Sequence, residues 1–396
     1  MTALAASPSP AALPKASLGT VETHLVGPQF PWPQNRAVHI VARDIRQRDA
    51  VGEFCLQLAD LLRSEGVEAQ LYAENWNPSH TPDIRPTDTL AQAATRRDIV
   101  FYHLSTEDPA LPSIAELPCR KLLYFHGITP PSFFEPYDRA AAARCRAGIE
   151  QTDWAAHFDL LMCNSQTSAR ALCGHIDETT QPDVVICPPV LGIARWRALT
   201  RGPTASSPAE RFILFVGRRA PHKGLHHLLS TFRLLAASDA RTNLVLVGNP
   251  AVPTYDGEIQ ALAQSIAKDF GERVFFHEDV SMAALRDLYE TATLFVTPSE
   301  HEGFCVPVLE AMQFGLPVLA GTDAAVGELL GGVGCLLNAD PAASAGILAR
   351  GLDDTAWRED IRARQQARFP ALAAETDGRL VWQALGRLLR LDAGPL

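Results

Sequence analysis

Short apolar runs alternate with helical stretches along most of the chain, and this alternation constrains the fold more than any other feature. Buried strands separated by helices are typical of a parallel, doubly wound sheet. The runs form two series, which predicts an α/β chain with two Rossmann-like domains. The first series covers residues 37–42, 68–73, 98–104, 121–126, 158–164 and 184–187. The second covers residues 212–217, 243–248, 273–277, 293–298, 317–321 and 334–338.

Changes of composition mark the expected domain boundaries. Residues 1–35 are rich in Ala, Pro and Ser and lack periodicity, which predicts a mobile leader. A proline and a Ser-rich run within residues 195–210 predict a linker. We therefore expect an N-terminal domain over 36–192 and a C-terminal domain over 193–375. The last apolar-periodic segment has no strand after it, so we expect residues 376–396 to contain a helix that crosses back to the first domain.

Composition excludes several classes of protein. The eight cysteines form no Cys-x-x-Cys pair and the histidines do not cluster, so neither a zinc site nor a disulfide framework is predicted. A net charge of -10 without a concentrated basic segment argues against nucleic acid as a partner. No apolar run approaches the ~20 residues of a membrane span, and no signal peptide pattern is visible. We expect a cytoplasmic protein, with peripheral contact at the inner face of a membrane still open.

The first candidate site is a basic turn that follows the first strand of the second series. Gly217 and Arg218 begin this turn, and Lys223 and Gly224 end it just before a helix predicted to start near Leu225. Backbone can approach a ligand closely at glycine, helix-end amides point outward, and the two cations can neutralise a diphosphate. A solvated basic turn with no ligand explains the same pattern equally well.

A second candidate site follows the strand that ends near residue 297. Pro307 suits the first position of a helix, which predicts Glu310 in the first turn and Glu302 on the preceding loop. Carboxylates accept hydrogen bonds from sugar and ribose hydroxyls, and the amides of Gly303 and Phe304 can hold phosphate oxygens. In the alternative interpretation, Glu310 only complements the helix dipole.

The first domain offers fewer candidates. His126 lies at the predicted end of a strand, where it can face the cleft, and His103 has a similar but weaker position. Gly52 lies in the turn between the first strand and its helix, where backbone can approach a donor or an acceptor. A purely structural role fits each of these three residues as well.

Together these patterns resemble family 4 glycosyltransferases, in particular bacterial members that form polysaccharides. That family has the GT-B fold, in which two Rossmann-like domains face each other across a cleft, and it retains the anomeric configuration of the donor. The basic turn is similar to its G-R…K-G diphosphate motif, and Glu302 with Glu310 to its E-x7-E signature. The similarity is strong over residues 212–341 and weaker in the first domain.

The resemblance implies a role for each candidate residue. Arg218 and Lys223 would bind the donor diphosphate beside Gly217 and stabilise the leaving nucleotide. His126 would reach the donor sugar or phosphate from the opposite domain. Glu302 would hold the transferred sugar.

The backbone of Gly303 and Phe304 would assist Glu302. Glu310 would bind the ribose hydroxyls, Val280 would lie near the base, and Gly52 would belong to the acceptor-side loop.

The resemblance also implies the substrates. A nucleoside-diphosphate sugar, GDP- or UDP-linked, would donate a hexose of the mannose or glucose type to a glycan or lipid-linked glycan. No cofactor and no metal ion would be required. The sequence departs from the family pattern at Cys305, where a glycine is common, at the second residue after Gly248, and at Val51 beside Gly52.

Two alternatives remain open at this point. A sugar-nucleotide epimerase can share the GT-B architecture, and a non-catalytic subunit that binds nucleotide sugars can scaffold a partner transferase. A nicotinamide-dependent dehydrogenase is less consistent, because no G-x-G-x-x-G follows the first strand of either series. A P-loop NTPase is excluded because Lys223 precedes Gly224 rather than Ser or Thr.

Overall fold

The structure is a computed structural model of the 396-residue chain. It describes residues 25–46, 49–79, 81, 83–174, 183–192, 211–333, 335–337 and 339–392.

Seven parallel strands form the sheet of the first domain, in the order β3-β2-β1-β4-β5-β6-β7. The strands are β1 (Val38–Ile45), β2 (Ala69–Trp76), β3 (Ile84–Pro86), β4 (Ile99–Leu104), β5 (Arg120–Phe125), β6 (Leu160–Cys163) and β7 (Val184–Ile186). The helices beside this sheet are Ala50–Ser64, Leu90–Ala93, Leu111–Ala115, Arg139–Glu150 and Gln166–Cys173.

Six parallel strands form the second sheet, in the order β10-β9-β8-β11-β12-β13. The strands are β8 (Arg211–Val216), β9 (Thr242–Val247), β10 (Val274–His277), β11 (Leu294–Thr297), β12 (Val318–Ala320) and β13 (Cys335–Leu336). Its helices are Leu225–Ala236, Pro253–Phe270, Met282–Thr291, Val306–Gln313, Ala324–Leu330, Pro341–Asp353 and Thr355–Glu375, and a last helix spans Arg379–Asp392.

Both sheets are doubly wound, as the alternation of apolar runs predicts. The strand order reverses between β1 and β4 in the first sheet and between β8 and β11 in the second. In such sheets ligands bind beyond the carboxyl ends of the strands at this reversal. Each predicted run overlaps one strand, and β3 alone was not predicted, because its three residues contain a single buried side chain, Ile84.

The last helix packs on the first domain. Its apolar residues Val381, Leu385 and Leu388 are fully buried in the same cluster as β1 and helix Ala50–Ser64. Trp382 contacts the rings of Phe30 and Trp32.

The packing of Phe30 and Trp32 has a consequence for the expected leader. Both residues lie within the segment 1–35 that the composition predicts to be mobile, yet aromatic burial holds them against the core, so ordered chain begins before residue 36. Residues 1–24 lie outside the described part. The predicted division near residue 192 stays a prediction, since residues 193–210 also lie outside it.

Candidate functional site

The two domains contact each other at the end of β5 and at the loop that connects β11 to the next helix. A Cβ atom on Gly303 would lie only 2.0 Å from the carbonyl oxygen of His126 and 2.6 Å from Nδ2 of Asn164. Glycine at position 303 therefore allows the two backbones to approach. The same amide of Asn164 donates a hydrogen bond to the His126 carbonyl at 2.9 Å. The carboxyl edges of the two sheets thus meet at these residues.

Lys223 and Glu302 form an ion pair beside this contact. Nζ of Lys223 lies 2.6 Å from Oε1 of Glu302, and the two side chains are only 16% and 9% exposed. A short, largely buried pair fixes both side chains in one geometry. The sequence predicted that these residues serve the same ligand from different loops, and the structure brings them together.

Asp323 adds a second carboxylate, next to the backbone of Glu302. Its Oδ2 accepts the backbone N–H of Glu302 at 3.1 Å, and its Oδ1 accepts the N–H of Val326 to cap the following helix. Burial, and to a lesser extent the charge of Glu302, raises the pKa of Asp323, while the amide hydrogen bonds oppose the shift. Asp323 was not predicted as a site residue, because an Asp directly before a helix is typical of an N-cap.

Arg218 extends into the space between the domains. Its side chain is 62% exposed, and Nη1 lies 4.0 Å from Oδ1 of Asp49, the cap of helix Ala50–Ser64 in the other domain. The turn before Arg218 needs a close backbone approach, since a Cβ on Gly248 would lie 2.1 Å from the carbonyl oxygen of Gly217. Arg218 therefore remains available to a ligand in the cleft.

Two helices point their amino ends toward this region. Helix Leu225–Ala236 begins at Leu225, which confirms the predicted start, and Gly224 before it has a φ of 66°. A Cβ on Gly224 would lie 2.4 Å from the carbonyl oxygen of Pro298. Among the described residues, no side chain caps this helix or helix Val306–Gln313. Uncapped helix starts with outward amides are suited to bind anions.

The predicted position of Glu310 was wrong. The helix begins at Val306, so Pro307 is its second residue and no acidic residue lies in the first turn. Because dipole effects decay within the first turn, dipole complementation explains Glu310 poorly. Its Oε2 instead accepts a hydrogen bond from the hydroxyl of Tyr289 at 2.8 Å.

Cys305 has the backbone conformation that directly precedes helix Val306–Gln313, which starts one residue earlier than predicted. This residue precedes the helix with φ 70° and ψ 67°, the left-handed region that favours glycine. Its side chain is buried next to Phe304 in the core of the second domain. Burial raises the pKa of the Cys305 thiol well above its usual range.

The remaining predicted residues lie around this centre. Val280 follows β10 and is half-buried against the core of the second domain. Gly52 lies in the first turn of helix Ala50–Ser64, where a Cβ would lie 2.1 Å from the carbonyl oxygen of Arg46. The backbone of Gly52 therefore packs against its own loop, as the structural interpretation of this glycine expects.

Half-buried His126 and fully buried His103 form a pair at the ends of β5 and β4. Nε2 of His126 lies 2.9 Å from Nδ1 of His103, and the rings stack with centroids 5.2 Å apart. Burial lowers the pKa of His126 to about 3 and also lowers that of His103, to which His126 adds a smaller effect. Both rings are therefore neutral at pH 7.

Arg219 supports the basic turn from within the domain, a position that the sequence did not reveal. It is 1% exposed, forms ion pairs with Asp256 and Glu278, and donates from Nη1 to the carbonyl of Gly248 at 2.6 Å. It thereby connects the basic turn to the loop that leads to Val280. Arg218 beside it has the same side chain but extends into the cleft. The sequence carried no signal for which of the two arginines would be buried.

The described residues contain no group of three or more His, Cys, Asp or Glu side chains that could hold a metal ion. Within the same residues, no helix is both long enough and apolar enough to cross a membrane.

Part of the chain matches a known protein family, and its fold occurs in solved structures. Residues 197–362 match the family model described as Glycosyl transferases group 1. An alpha,alpha-trehalose-phosphate synthase (UDP-forming) from Burkholderia vietnamiensis superposes with a TM-score of 0.70 at 13% identity, covering 91% of this chain and 99% of that one. The fold is GT-B. The two sheets, with the cleft at their carboxyl ends, are the two halves of that GT-B fold.

Two curated relatives share part of their sequence with this chain. O-antigen chain mannosyltransferase B of Escherichia coli is 35% identical over 162 residues, which cover 39% of this chain and 40% of the relative. The GDP-mannose:cellobiosyl-diphosphopolyprenol alpha-mannosyltransferase of Xanthomonas oryzae pv. oryzae (strain PXO99A) is 26% identical over 241 residues, which cover 56% and 61%. Each match spans less than two thirds of the relative's length.

Proposed function

We propose that the chain is a nucleotide-sugar-dependent glycosyltransferase of family 4. It would move a hexose, with retention of configuration, to a hydroxyl of a glycan or lipid-linked glycan in polysaccharide synthesis. The matched domain and the two mannosyltransferase relatives support the class of reaction. Those relatives favour mannose over glucose, and the name of one of them favours GDP over UDP.

The observation that carries the proposal is the ion pair between Lys223 and Glu302. Lys223 shortly precedes the uncapped helix Leu225–Ala236, Glu302 shortly precedes the uncapped helix Val306–Gln313, and the residue after Glu302 contacts the first domain. A diphosphate at the helix starts would take Lys223 as its counter-ion, and Glu302 would then accept hydrogen bonds from the sugar hydroxyls. The bond between sugar and phosphate would lie between the two side chains. In the free protein each side chain balances the charge of the other.

The transfer we propose is a front-face displacement. The bond from the anomeric carbon to the phosphate oxygen breaks, and the acceptor oxygen forms its bond to the same face of that carbon. The acceptor proton passes to an oxygen of the departing diphosphate. Lys223 and Arg218 stabilise the charge that develops on the leaving group, which is the main contribution that the protein makes.

The placement of the other groups completes the proposal. Glu310, near the Val306–Gln313 helix start, would bind the ribose, and Val280 would lie along the base. Because each domain supplies part of the cleft, residues of the first domain, including those around Gly52 in the first turn of helix Ala50–Ser64, would choose the acceptor. A cytoplasmic location, with contact to the inner face of a membrane, belongs to the same proposal and rests on the lipid-linked acceptor class.

Thermal unfolding with GDP, UDP, GDP-mannose and UDP-glucose tests this donor site without an acceptor. A ligand at 100 times its dissociation constant should stabilise the folded protein by about 2.7 kcal/mol, which shifts the midpoint by a few degrees. We expect a shift with one base, and its loss in Lys223→Ala. Lys268→Ala, which removes an exposed lysine from helix Pro253–Phe270, is the matched control and should keep the shift.

The outcomes separate the open alternatives. No shift with any of the four compounds would overturn the donor site. A shift in the parent protein, followed by conversion of the sugar nucleotide to its epimer, would establish an epimerase. Binding without transfer to lipid-linked or free glycan acceptors would favour a scaffold subunit.

A further inference from the structure

His103 has no assigned role, and within the described part of the chain one of its ring nitrogens has no partner. The residue is 2% exposed and packs among the rings of Phe54, Phe101 and Tyr124. The hydroxyl of Tyr124 donates to the carbonyl of Cys187 at 2.6 Å and so is already engaged. Nε2 of His103 is buried without a hydrogen bond among the described residues, while Nδ1 lies 2.9 Å from Nε2 of His126.

This arrangement determines where the protons lie. Each neutral imidazole carries one proton, and exactly one proton must lie between His103 and His126 for their hydrogen bond to form. If His103 carried its proton on Nε2, that N–H would be a buried donor without an acceptor, which is rarer in proteins than an unpaired acceptor. The proton of His103 therefore belongs on Nδ1, from which it is donated to Nε2 of His126.

The tautomer of His126 follows. Since Nε2 of His126 accepts this hydrogen bond, its own proton must lie on Nδ1. His126 is only half-buried, and Nδ1 is the ring nitrogen that does not face His103. Its backbone touches Gly303, the residue that follows Glu302. The Nδ1–H is therefore the ring donor that His126 can offer to a ligand bound beside Gly303 and Glu302.

We propose that His103 is a positioning residue that fixes the Nδ1–H tautomer of His126, so that His126 donates a hydrogen bond to an oxygen of the donor sugar. The inference rests on the proposed function for the identity of the ligand. The tautomer itself rests only on the geometry of the two rings and on the apolar surroundings of His103.

Nitrogen-15 NMR of histidine-labelled protein tests the tautomer directly, because protonated and unprotonated imidazole nitrogens differ widely in chemical shift. Signals of the two rings are assigned by their loss in His103→Asn and His126→Gln. We expect Nδ1–H on both rings at pH 7 in the free protein. A proton on Nε2 of His126 would overturn the inference whether or not the protein binds a donor.

Binding measurements test the consequence for the ligand. His103→Leu removes the hydrogen bond at similar volume, whereas His103→Asn keeps an amide donor near the position of Nδ1. We expect His103→Leu to weaken binding of GDP-mannose or UDP-glucose about fivefold with little change for GDP or UDP, and His103→Asn to restore most of the loss. His39→Leu removes another buried histidine, from the amino-terminal end of β1, and should leave both affinities unchanged.

Equal losses in His103→Leu and His39→Leu, or a loss for nucleotide and sugar nucleotide alike, would mean that His103 only supports the core. If the parent protein binds none of the four compounds, the proposed donor site fails and the ligand half of this inference fails with it. If the parent binds them but His126 carries its proton on Nε2, only the present inference fails.

Discussion

Lys223 is the residue whose removal tests the proposed reaction most directly. If its ammonium stabilises the departing diphosphate, Lys223→Ala should lower the rate of transfer about 10²- to 10³-fold, the cost of losing a well-placed donor to developing charge. The measurement is release of GDP or UDP with a glycan acceptor at saturating donor. Near-normal turnover would contradict the assignment, and Lys268→Ala should match the parent protein.

Glu302 would remain without its buried counter-ion in that variant, so its fold must be checked separately. Lys223→Met keeps the length of the side chain without its charge. A midpoint of unfolding within a few degrees of the parent would show that lost activity reflects lost chemistry rather than an unfolded domain.

The left-handed backbone of Cys305 should change the usual effect of glycine on stability. A residue with a Cβ in the left-handed region costs about 1–2 kcal/mol, a cost that glycine avoids. Cys305→Gly should therefore be more stable than Cys305→Ala by about 1 kcal/mol, although glycine is normally the less stable of the two within a helix. Urea unfolding of the two variants measures the difference. A more stable alanine variant would contradict the backbone geometry at this position.

At the scale of elements, one carboxylate ties the two domains together at a helix start. Glu328, on helix Ala324–Leu330, accepts the backbone N–H of Gln166 at 2.9 Å and the hydroxyl of Thr167 at 2.6 Å, and it pairs with Arg170 at 3.0 Å. These partners belong to helix Gln166–Cys173 of the first domain. A carboxylate at a helix amino end is favourable, so the contact stabilises both the helix and the closed arrangement.

Glu328→Ala should weaken the contact between the domains by about 1 kcal/mol, because the first turn of helix Gln166–Cys173 loses its acceptor. We expect a larger radius of gyration by small-angle X-ray scattering in the absence of nucleotide. Glu359→Ala removes an exposed glutamate that pairs with Arg362 within a single helix, and it should leave the radius unchanged. An unchanged radius in Glu328→Ala would show that other contacts hold the domains.

Elements were predictable from the sequence to different degrees. The start of helix Leu225–Ala236 was predictable from Gly224, because this glycine directly precedes a segment with the apolar spacing of a helix. The start of helix Val306–Gln313 was misplaced, because proline suggested its first residue while Cys305 adopts the conformation that begins the helix. The cysteine itself gave no signal for that conformation, since cysteine rarely adopts it, and only the resemblance to a family in which glycine is common at this position pointed to it.

At the scale of the whole molecule, buried and half-buried histidines near the domain contact make stability depend on pH. Burial is the first cause of the lowered pKa in each case, and the residues are His103, His126, His222 and His301. The unfolded chain binds protons near pH 6.5, whereas the folded state does so only at lower pH. The contribution of these histidines to folding stability should therefore be fully present above pH 6.5 and decrease as the pH falls. For His126 this decrease should continue to about pH 3.

The midpoint of unfolding should decrease between pH 7 and pH 5, and His126→Asn should show a weaker decrease because one fewer group gains a proton on unfolding. His157→Asn, at an exposed position, should follow the parent curve. Identical pH dependence in parent and His126→Asn would contradict the lowered pKa of His126 in the folded state.

The sequence by itself determined the two doubly wound sheets and the loops that bear the candidate site, because strand burial and helix starts are local patterns of apolar side chains, glycines and charges. Only the tertiary structure decided which of two adjacent arginines is buried, since Arg219 forms ion pairs with Asp256 and Glu278, which lie on elements distant in sequence. It also decided that His103 supports His126 and that Glu328 reaches the other domain. Such pairings depend on where separate elements pack, and burial changes the cost of each charge once that packing is complete.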